Sequence, residues 1–144
     1  MKLKHLLSTA ALVLLSSIVY AGFLQPAPVL VTVNADLSGD AQGDMATARF
    51  SASDLELIGC GYRTFDDGAG GVLKFGFCQA VQDDGSAEGL RGFCSTQRAD
   101  LLDTMRATSD YSFVTFSWNA AGECTRVGFS TQSFYIPESK EKAK

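Results

Sequence analysis

The feature that most constrains this fold is a set of four cysteines that alternate with turn signals: Cys60, Cys78, Cys94 and Cys124. Residues 66–71 read Asp-Asp-Gly-Ala-Gly-Gly and lie midway between the first two cysteines. Residues 83–89, with Asp-Asp-Gly at their start, lie midway between the second and third. Glycine supplies positive φ and aspartate hydrogen-bonds nearby backbone, so both clusters should reverse the chain. The pattern predicts three antiparallel strands with the first three cysteines roughly in a row.

The even number of cysteines predicts two structural disulfides, provided that the chain is exported. A four-thiolate metal site or a redox pair usually contains C-x-x-C, and that spacing is absent here. Cys78 can face either neighbour in the row. We favour a Cys78–Cys94 bridge, which leaves Cys60–Cys124 as the long-range bridge. The pairing of Cys60 with Cys78 and of Cys94 with Cys124 is the alternative.

The N-terminus has the pattern of a secretory signal peptide. A basic start at residues 1–5 precedes an apolar run at residues 6–18, and Val19-Tyr20-Ala21 supplies a cleavage site. The apolar run is shorter than the roughly 20 residues that span a bilayer. We therefore expect cleavage after Ala21, export to the periplasm or the medium, and no transmembrane span in the mature chain.

Cleavage should leave one disulfide-stapled, β-rich domain at residues 22–136 and a disordered tail at residues 137–144. The tail holds no large apolar residue that could anchor it. Loss of Lys2 and Lys4 leaves ten basic against sixteen acidic residues, a net charge of −6. An acidic body repels phosphate backbones, so nucleic acid is not an expected partner.

The only histidine, His5, lies in the predicted signal peptide. A mature chain without imidazole cannot use Ser-His-Asp or Cys-His catalysis, nor metal sites that need an imidazole ligand. The sequence also lacks phosphate-loop, dinucleotide and nucleophile-elbow motifs. These absences favour a protein that is not an enzyme and has no cofactor.

Short β-branched and aromatic runs between polar turns predict a mainly β fold. The expected strands occupy residues 29–33, 46–50, 54–62, 72–80, 90–94, 111–118 and 124–130, and residues 133–136 can add an edge. Residues 36–44 are expected to form a polar loop. One helix, capped by Ser95 or Thr96, should extend through Ala107. The predicted fold is an antiparallel sheet or sandwich of about seven short strands with one α-helix.

Three aspartates recur every four residues in the predicted glycine-rich loop: Asp36, Asp40 and Asp44. Calcium prefers hard oxygen ligands, so a calcium loop is one interpretation of this spacing. The spacing does not match an EF-hand loop, and solvated turns are the simpler interpretation.

Aromatic residues suggest a ligand-binding surface. Trp118, Tyr111 and Tyr62 could stack on sugar rings, although a core position is the favoured interpretation for Trp118. Three phenylalanines near the cysteines are interpreted as packing residues: Phe75, Phe77 and Phe93.

Around its cysteines the chain resembles a group of small exported bacterial four-cysteine proteins of uncharacterised function. The similar stretches are Leu57-Ile58-Gly59-Cys60, Phe77-Cys78-Gln79-Ala80, Phe93-Cys94-Ser95-Thr96, residues 112–118 and Gly122-Glu123-Cys124-Thr125. The resemblance implies export and two disulfides, and it implies no activity.

The leading hypothesis is an exported, non-enzymatic binding module whose ligand is a glycan or another envelope protein. A carboxylate-dependent hydrolase of glycans is an alternative, which requires two acids flanking a sugar. A structural subunit of a surface assembly is a second alternative. An exposed strand edge or a large apolar patch would favour it.

Overall fold

The structure, a computed structural model, describes residues 23–137, so the predicted signal peptide and all of the predicted tail except Pro137 lie outside it. The chain forms seven strands: β1 (Leu30–Val33), β2 (Gly39–Asp44), β3 (Leu57–Asp66), β4 (Val72–Gln82), β5 (Leu90–Thr96), β6 (Phe113–Trp118) and β7 (Cys124–Ser130). Two α-helices, α1 (Met45–Arg49) and α2 (Ala99–Ala107), and a short 3₁₀ helix (Ser133–Tyr135) complete it. None of the helices within residues 23–137 is long and apolar enough to cross a bilayer.

The strands form two antiparallel sheets, which confirms the predicted mainly β fold. The first sheet has the order β1-β2-β6-β7 and the second has the order β3-β4-β5. Strand β6 alternates as a half-buried strand should, with Val114, Phe116 and Trp118 directed into the core. The two sheets face each other across this core.

Trp118 spans the space between the sheets. Its indole nitrogen donates a hydrogen bond to the backbone oxygen of Leu37 at 2.8 Å. A Cβ at Gly92, on the second sheet, would lie 2.8 Å from the indole ring, and one at Gly39 would lie 2.4 Å from it. Both positions therefore require glycine, because any side chain there would displace the ring.

The region between residues 36 and 50 differs from the prediction. Residues 39–44 are not loop but strand β2, because they pair with β1 on one side and with β6 on the other. These two ladders override the low strand propensity of Gly and Asp. The predicted strand at residues 46–50 is instead helix α1, which begins after Asp44 because the Asp44 carboxylate caps it.

Further departures lie at the ends of elements and in the last predicted strand. Strand β3 occupies Leu57–Asp66 rather than residues 54–62, and β6 begins at Phe113 rather than at residue 111. Strand β5 continues through Thr96, so α2 begins at Ala99 rather than after Ser95 or Thr96. The predicted edge strand at residues 133–136 is a 3₁₀ helix whose Phe134 and Tyr135 rings contact each other at 4.5 Å. Tyr135 also stacks on Phe113, so this segment packs through side chains rather than through a ladder.

Helix α2 closes one end of the space between the sheets. Its buried residues are Leu101, Leu102 and Met105. A Cβ at Gly76 of β4 would lie 2.4 Å from the Met105 sulfur, so glycine there lets the helix approach the sheet closely. The buried residues of this helix thus form one apolar face against the core, as their helical spacing indicates.

The disulfides join Cys60 to Cys78 and Cys94 to Cys124, so two bridges are confirmed but our favoured pairing is wrong. The first three cysteines do lie in a row, since Cys78 is directly opposite Cys60 in one ladder and opposite Cys94 in the other. Hairpin reasoning did not show that β5 also meets the start of β7, where Ser95 bridges Glu123. That contact gives Cys94 a second possible partner in Cys124, and Cys78 then pairs with Cys60.

Candidate functional site

A cleft of about 580 Å³ lies at the seam where the second sheet meets the first. Its lining comes from β4, the end of β5, the start of α2, the β6–β7 turn and the start of β7: Phe75, Ser95, Thr96, Gln97, Arg98, Asn119, Glu123, Cys124 and Thr125. Its volume is within the range of small-molecule sites. Most of these side chains carry hydrogen-bonding groups, so the cleft suits a polar ligand.

The rim of the cleft is fixed by the β6–β7 turn. The Asn119 side-chain oxygen accepts hydrogen bonds from the backbone N–H groups of Ala121 and Glu123, each at 3.0 Å. The Asn119 amide donates to the Glu123 carboxylate at 2.9 Å. Gly122 has a φ of 76°, which favours glycine, and its carbonyl accepts from the Ser95 N–H at 3.0 Å. The turn is therefore held in one conformation against β5.

The two charged side chains that line the cleft, Arg98 and Glu123, already have partners within the protein. Arg98 donates two hydrogen bonds to Asp100, at 2.6 and 3.2 Å. Hydrogen bonding to Arg98 lowers the pKa of the Asp100 carboxyl, and the same contact raises the pKa of Arg98. Glu123 is the one carboxylate among the lining residues. Because Arg98 is paired with Asp100 and Glu123 accepts a hydrogen bond from Asn119, the cleft has no strong preference for a charged ligand.

One wall of the cleft is aromatic and continues onto the outer face of the second sheet. Phe75 lines the cleft, and its ring centroid lies 6.0 Å from that of Phe77. The Phe77 centroid lies 6.4 Å from that of Phe93, with the ring planes within 24° of parallel. Phe93 is 53% exposed. Our interpretation of these phenylalanines as packing residues is therefore wrong for Phe93, while Phe75 and Phe77 are half-buried.

Glycine on β3 keeps this aromatic row close to the sheet. A Cβ at Gly61 would lie 2.5 Å from the Phe77 ring, so the ring reaches across the neighbouring strand. The Arg63 guanidinium lies over the same ring, 5.1 Å from its centroid. This contact has the geometry of a cation–π interaction, and it orients the Arg63 side chain along the aromatic surface.

The structure does not bring the three predicted sugar-stacking residues together. Trp118 is 7% exposed and belongs to the core, where its indole N–H is already hydrogen-bonded. Tyr111 is exposed in the loop that precedes β6, whereas Trp118 is the last residue of β6, so the two side chains lie at opposite ends of this strand. Tyr62 lies in β3, half-buried against the core with Arg106 over its ring.

The three aspartates of the predicted calcium loop lie in different elements and have different partners. Asp36 accepts hydrogen bonds from the hydroxyl and the backbone N–H of Ser38, which lower the pKa of its carboxyl. Asp40 lies within β2. Within residues 23–137 the only three ligand atoms that lie within 4.8 Å of one another belong to Cys78, Cys94 and Cys124, so the aspartates do not converge.

Asp44 is 1% exposed and caps α1. One of its carboxylate oxygens accepts from the Thr47 N–H at 2.6 Å. The other accepts from the Ala27 N–H at 2.6 Å and from the Thr47 hydroxyl. Both oxygens are thus occupied by the protein, which gives this carboxylate a structural role.

Sequence reasoning missed the aromatic face, although a signal for it was present. Successive residues of a strand point to opposite sides of its sheet. Since a bridged Cys78 must face the core, Phe77 and Gln79 must face outward, and the same rule turns Phe93 outward beside Cys94. The sequence holds no comparable signal for the polar lining residues of the cleft, because they come together only through the contact between β5 and the start of β7.

Comparison with known proteins gave no match to a protein-family model, to a curated protein or to a solved structure.

Proposed function

We propose that this chain is an exported, non-enzymatic module that binds a neutral glycan in the cleft. The observation that carries the proposal is the junction of a polar cleft, whose charged side chains already have partners, with an aromatic wall at Phe75. Sugars present hydroxyl groups at their edges and C–H groups on their faces. A site with hydrogen-bonding side chains on one side and an aromatic ring on the other complements both.

The same geometry supports binding better than glycan hydrolysis. Hydrolysis by carboxylates needs two acids that flank the scissile bond. Glu123 is the one acid that lines the cleft, and its carboxylate already accepts a hydrogen bond from Asn119. Asp100 lies outside the lining, paired with Arg98. A binding role therefore fits the residues present without requiring a second carboxylate.

The disulfides support the exported part of the proposal. All four cysteines are bridged, and disulfides persist in oxidising compartments outside the cytosol. This agrees with the signal peptide that the sequence predicts. The bridge between Cys94 and Cys124 also lies directly under the cleft, where it holds β5 against β7.

Titration of the oxidised protein with chito-oligosaccharides and cello-oligosaccharides tests the proposal. Two-dimensional NMR should place the shifts at Ser95, Gln97 and Thr125, and calorimetry should give the affinity. Phe75→Ala should weaken binding about ten-fold, the loss expected when a stacked ring contributing about 1.4 kcal/mol is removed. Phe50→Ala is the matched control, because Phe50 is 64% exposed and lies outside the cleft lining.

Saturable binding with equal affinity in the wild type and in Phe75→Ala would contradict the proposed site. Shifts confined to another surface would do the same. If neither family of oligosaccharides binds, the glycan assignment is wrong.

A second candidate function, a structural subunit of a surface assembly, rests on the free end of the β3–β4 hairpin. Strand β5 pairs with β4 only from Gly76 onward, so residues 72–75 have β3 as their one partner strand. Phe65 and Leu73 lie directly opposite each other there, 47% and 44% exposed, and Val72 is 63% exposed. Exposed apolar groups of this kind mark contact surfaces.

Light scattering after size-exclusion chromatography tests this second candidate. Self-association that increases with concentration in the wild type, and is lost in the double variant Phe65→Ser/Leu73→Ser, would support it. A wild type that stays monomeric across the concentration range would count against it.

A further inference from the structure

The two disulfides lie side by side in the core. The Sγ atoms of Cys78, Cys94 and Cys124 all lie within 4.8 Å of one another. The Cys78 sulfur is bonded to Cys60, while the other two sulfurs are bonded to each other. The Cys78 sulfur is thus close to both atoms of the neighbouring bridge, although it belongs to a different bridge.

The four cysteines differ in their exposure to solvent. Cys78 and Cys94 are 0% exposed and Cys124 is 2% exposed. Cys60 is half-buried, on the edge strand β3 of the second sheet. Cys60 is therefore the cysteine most accessible to a thiolate from outside, while both cysteines of the second bridge are at most 2% exposed, although Cys124 borders the cleft.

We propose that Cys60 is a modification site for an external thiolate, and that Cys78, Cys94 and Cys124 form a relay for thiol–disulfide exchange. The external thiolate attacks the Cys60 sulfur, the Cys60–Cys78 bond breaks, and Cys78 leaves as a thiolate. The Cys78 thiolate then attacks the Cys94 sulfur, which forms Cys78–Cys94 and releases Cys124 as a thiolate that takes up a proton. The products are a mixed disulfide at Cys60, one new internal bridge and one thiol, with no net change in oxidation state.

The strand register accommodates the new bridge without a change in pairing. Cys78 and Cys94 are directly opposite each other in the β4–β5 ladder, as Cys60 and Cys78 are in the β3–β4 ladder. Side chains at directly opposite positions lie on the same face of a sheet and close together. The exchange therefore shifts the bridge from one ladder to the next, and it removes the covalent tie between β5 and β7.

Two single variants test the relay. Cys60→Ala leaves Cys78 as a thiol beside the intact second bridge, and Cys78→Ala leaves Cys60 as a thiol outside the group of three sulfurs. Each protein is incubated near the ordinary thiol pKa of about 8.5, quenched with acid, alkylated and digested with trypsin under non-reducing conditions. The cysteines fall on four separate tryptic peptides, ending at Arg63, Arg91, Arg98 and Arg126, so connectivity can be assigned directly.

In Cys60→Ala we expect alkylation at Cys124 or Cys94, together with a peptide pair that contains a bridge from Cys78. In Cys78→Ala we expect alkylation at Cys60 alone and an intact Cys94–Cys124 pair. Alkylation of Cys60→Ala at Cys78 alone would overturn the relay.

A variant that loses its near-ultraviolet circular dichroism is unfolded, and in that case the relay is tested on the wild-type protein. Treatment with less than one equivalent of reduced glutathione should place glutathione on Cys60 and produce the Cys78–Cys94 peptide pair. Glutathione on Cys78, or no adduct at all, would overturn the assignment of Cys60 as the modification site.

Discussion

The two sheets distribute large and small side chains in opposite ways. In the first sheet the bulky residues Phe116 and Trp118 face the core. On β4 and β5 of the second sheet most residues that face the core are small or sulfur-containing, such as Cys78 and Gly92, and the phenylalanines face outward. The difference teaches that the three phenylalanines of β4 and β5 do not serve core packing, so their position on the outer face needs a functional explanation.

Alanine substitution of one phenylalanine from each sheet should show the largest difference. Phe116 is fully buried, and Phe116→Ala should lower the free energy of unfolding by about 3–5 kcal/mol, because it leaves a cavity in the core. Phe93→Ala should lower it by less than about 1 kcal/mol, because about half of this residue is already exposed to water. Urea denaturation measures both. Equal losses would show that the aromatic face of the second sheet is a packed core after all.

Removing each disulfide separately should show how much stability comes from the bridge between the sheets, Cys94–Cys124, and how much from the bridge within one sheet, Cys60–Cys78. The chain-entropy account gives each bridge about 3 kcal/mol and favours the longer loop. The Cys94–Cys124 loop spans 30 residues and the Cys60–Cys78 loop spans 18. The double variant Cys94→Ala/Cys124→Ala should therefore melt lower than Cys60→Ala/Cys78→Ala in calorimetry. The reverse order would mean that the hairpin, rather than the seam between the sheets, limits stability.

Substitution of the two aspartates of β2, Asp40 and Asp44, should show whether these residues have a structural role or bind calcium. Asp44→Ala should cost on the order of 2 kcal/mol, because it removes the cap of α1 and leaves the Ala27 and Thr47 donors without their partner. Asp40→Ala, on the same strand, is the control and should change stability by less than about 0.5 kcal/mol. Thermal denaturation with and without calcium checks both proteins. A loss at Asp44 that appears only in the presence of calcium would favour the ligand interpretation.

The smallest expected effect is an acid sensitivity that belongs mainly to the turns of the second sheet. Backbone N–H groups, that of Ala69 first, lower the pKa of Asp67, and the Ser86 hydroxyl lowers the pKa of Asp84. A lowered folded-state pKa contributes stability above the ordinary value of 3.8, and this contribution is lost as the pH falls through the folded value. Stability should therefore decrease below about pH 4.

The double variant Asp67→Asn/Asp84→Asn should flatten this decrease more than Asp36→Asn, which removes one such carboxylate from the β1–β2 turn. Urea midpoints measured at several acidic pH values provide the test. If stability falls with decreasing pH in the same way in both variants, the turns of the second sheet do not contribute more to acid sensitivity than the β1–β2 turn.

Much of the fold could be predicted because its signals are local. The run from Cys124 to Ser130 was assigned as a strand with the observed bounds, and the turn clusters placed β3, β4 and β5 in antiparallel order. Strand β2 could not be predicted in this way. Its residues Gly39, Ala41 and Gly43 have weak strand preference, and the strand is held between the adjacent β1 and the distant β6, which comes much later in the sequence.

The candidate site could be predicted only in part. The outward direction of Phe77 and Phe93 follows from strand alternation once their neighbouring cysteines are placed inside. The grouping of Gln97, Asn119 and Thr125 in one cleft does not follow from any spacing, because these residues come from three separate connections or strand ends. Their proximity results from the packing of one sheet on the other.

The sequence by itself determined the mainly β class, the hairpins and the presence of two bridges, because glycine, aspartate and β-branched residues act on their immediate neighbours. The tertiary structure alone decided which cysteines pair. Cys78 has a cysteine directly opposite on each side, and local geometry favours neither. The contact between Ser95 and Glu123 brings Cys124 to Cys94 across a gap of 30 residues, and only the meeting of the two sheets creates that contact.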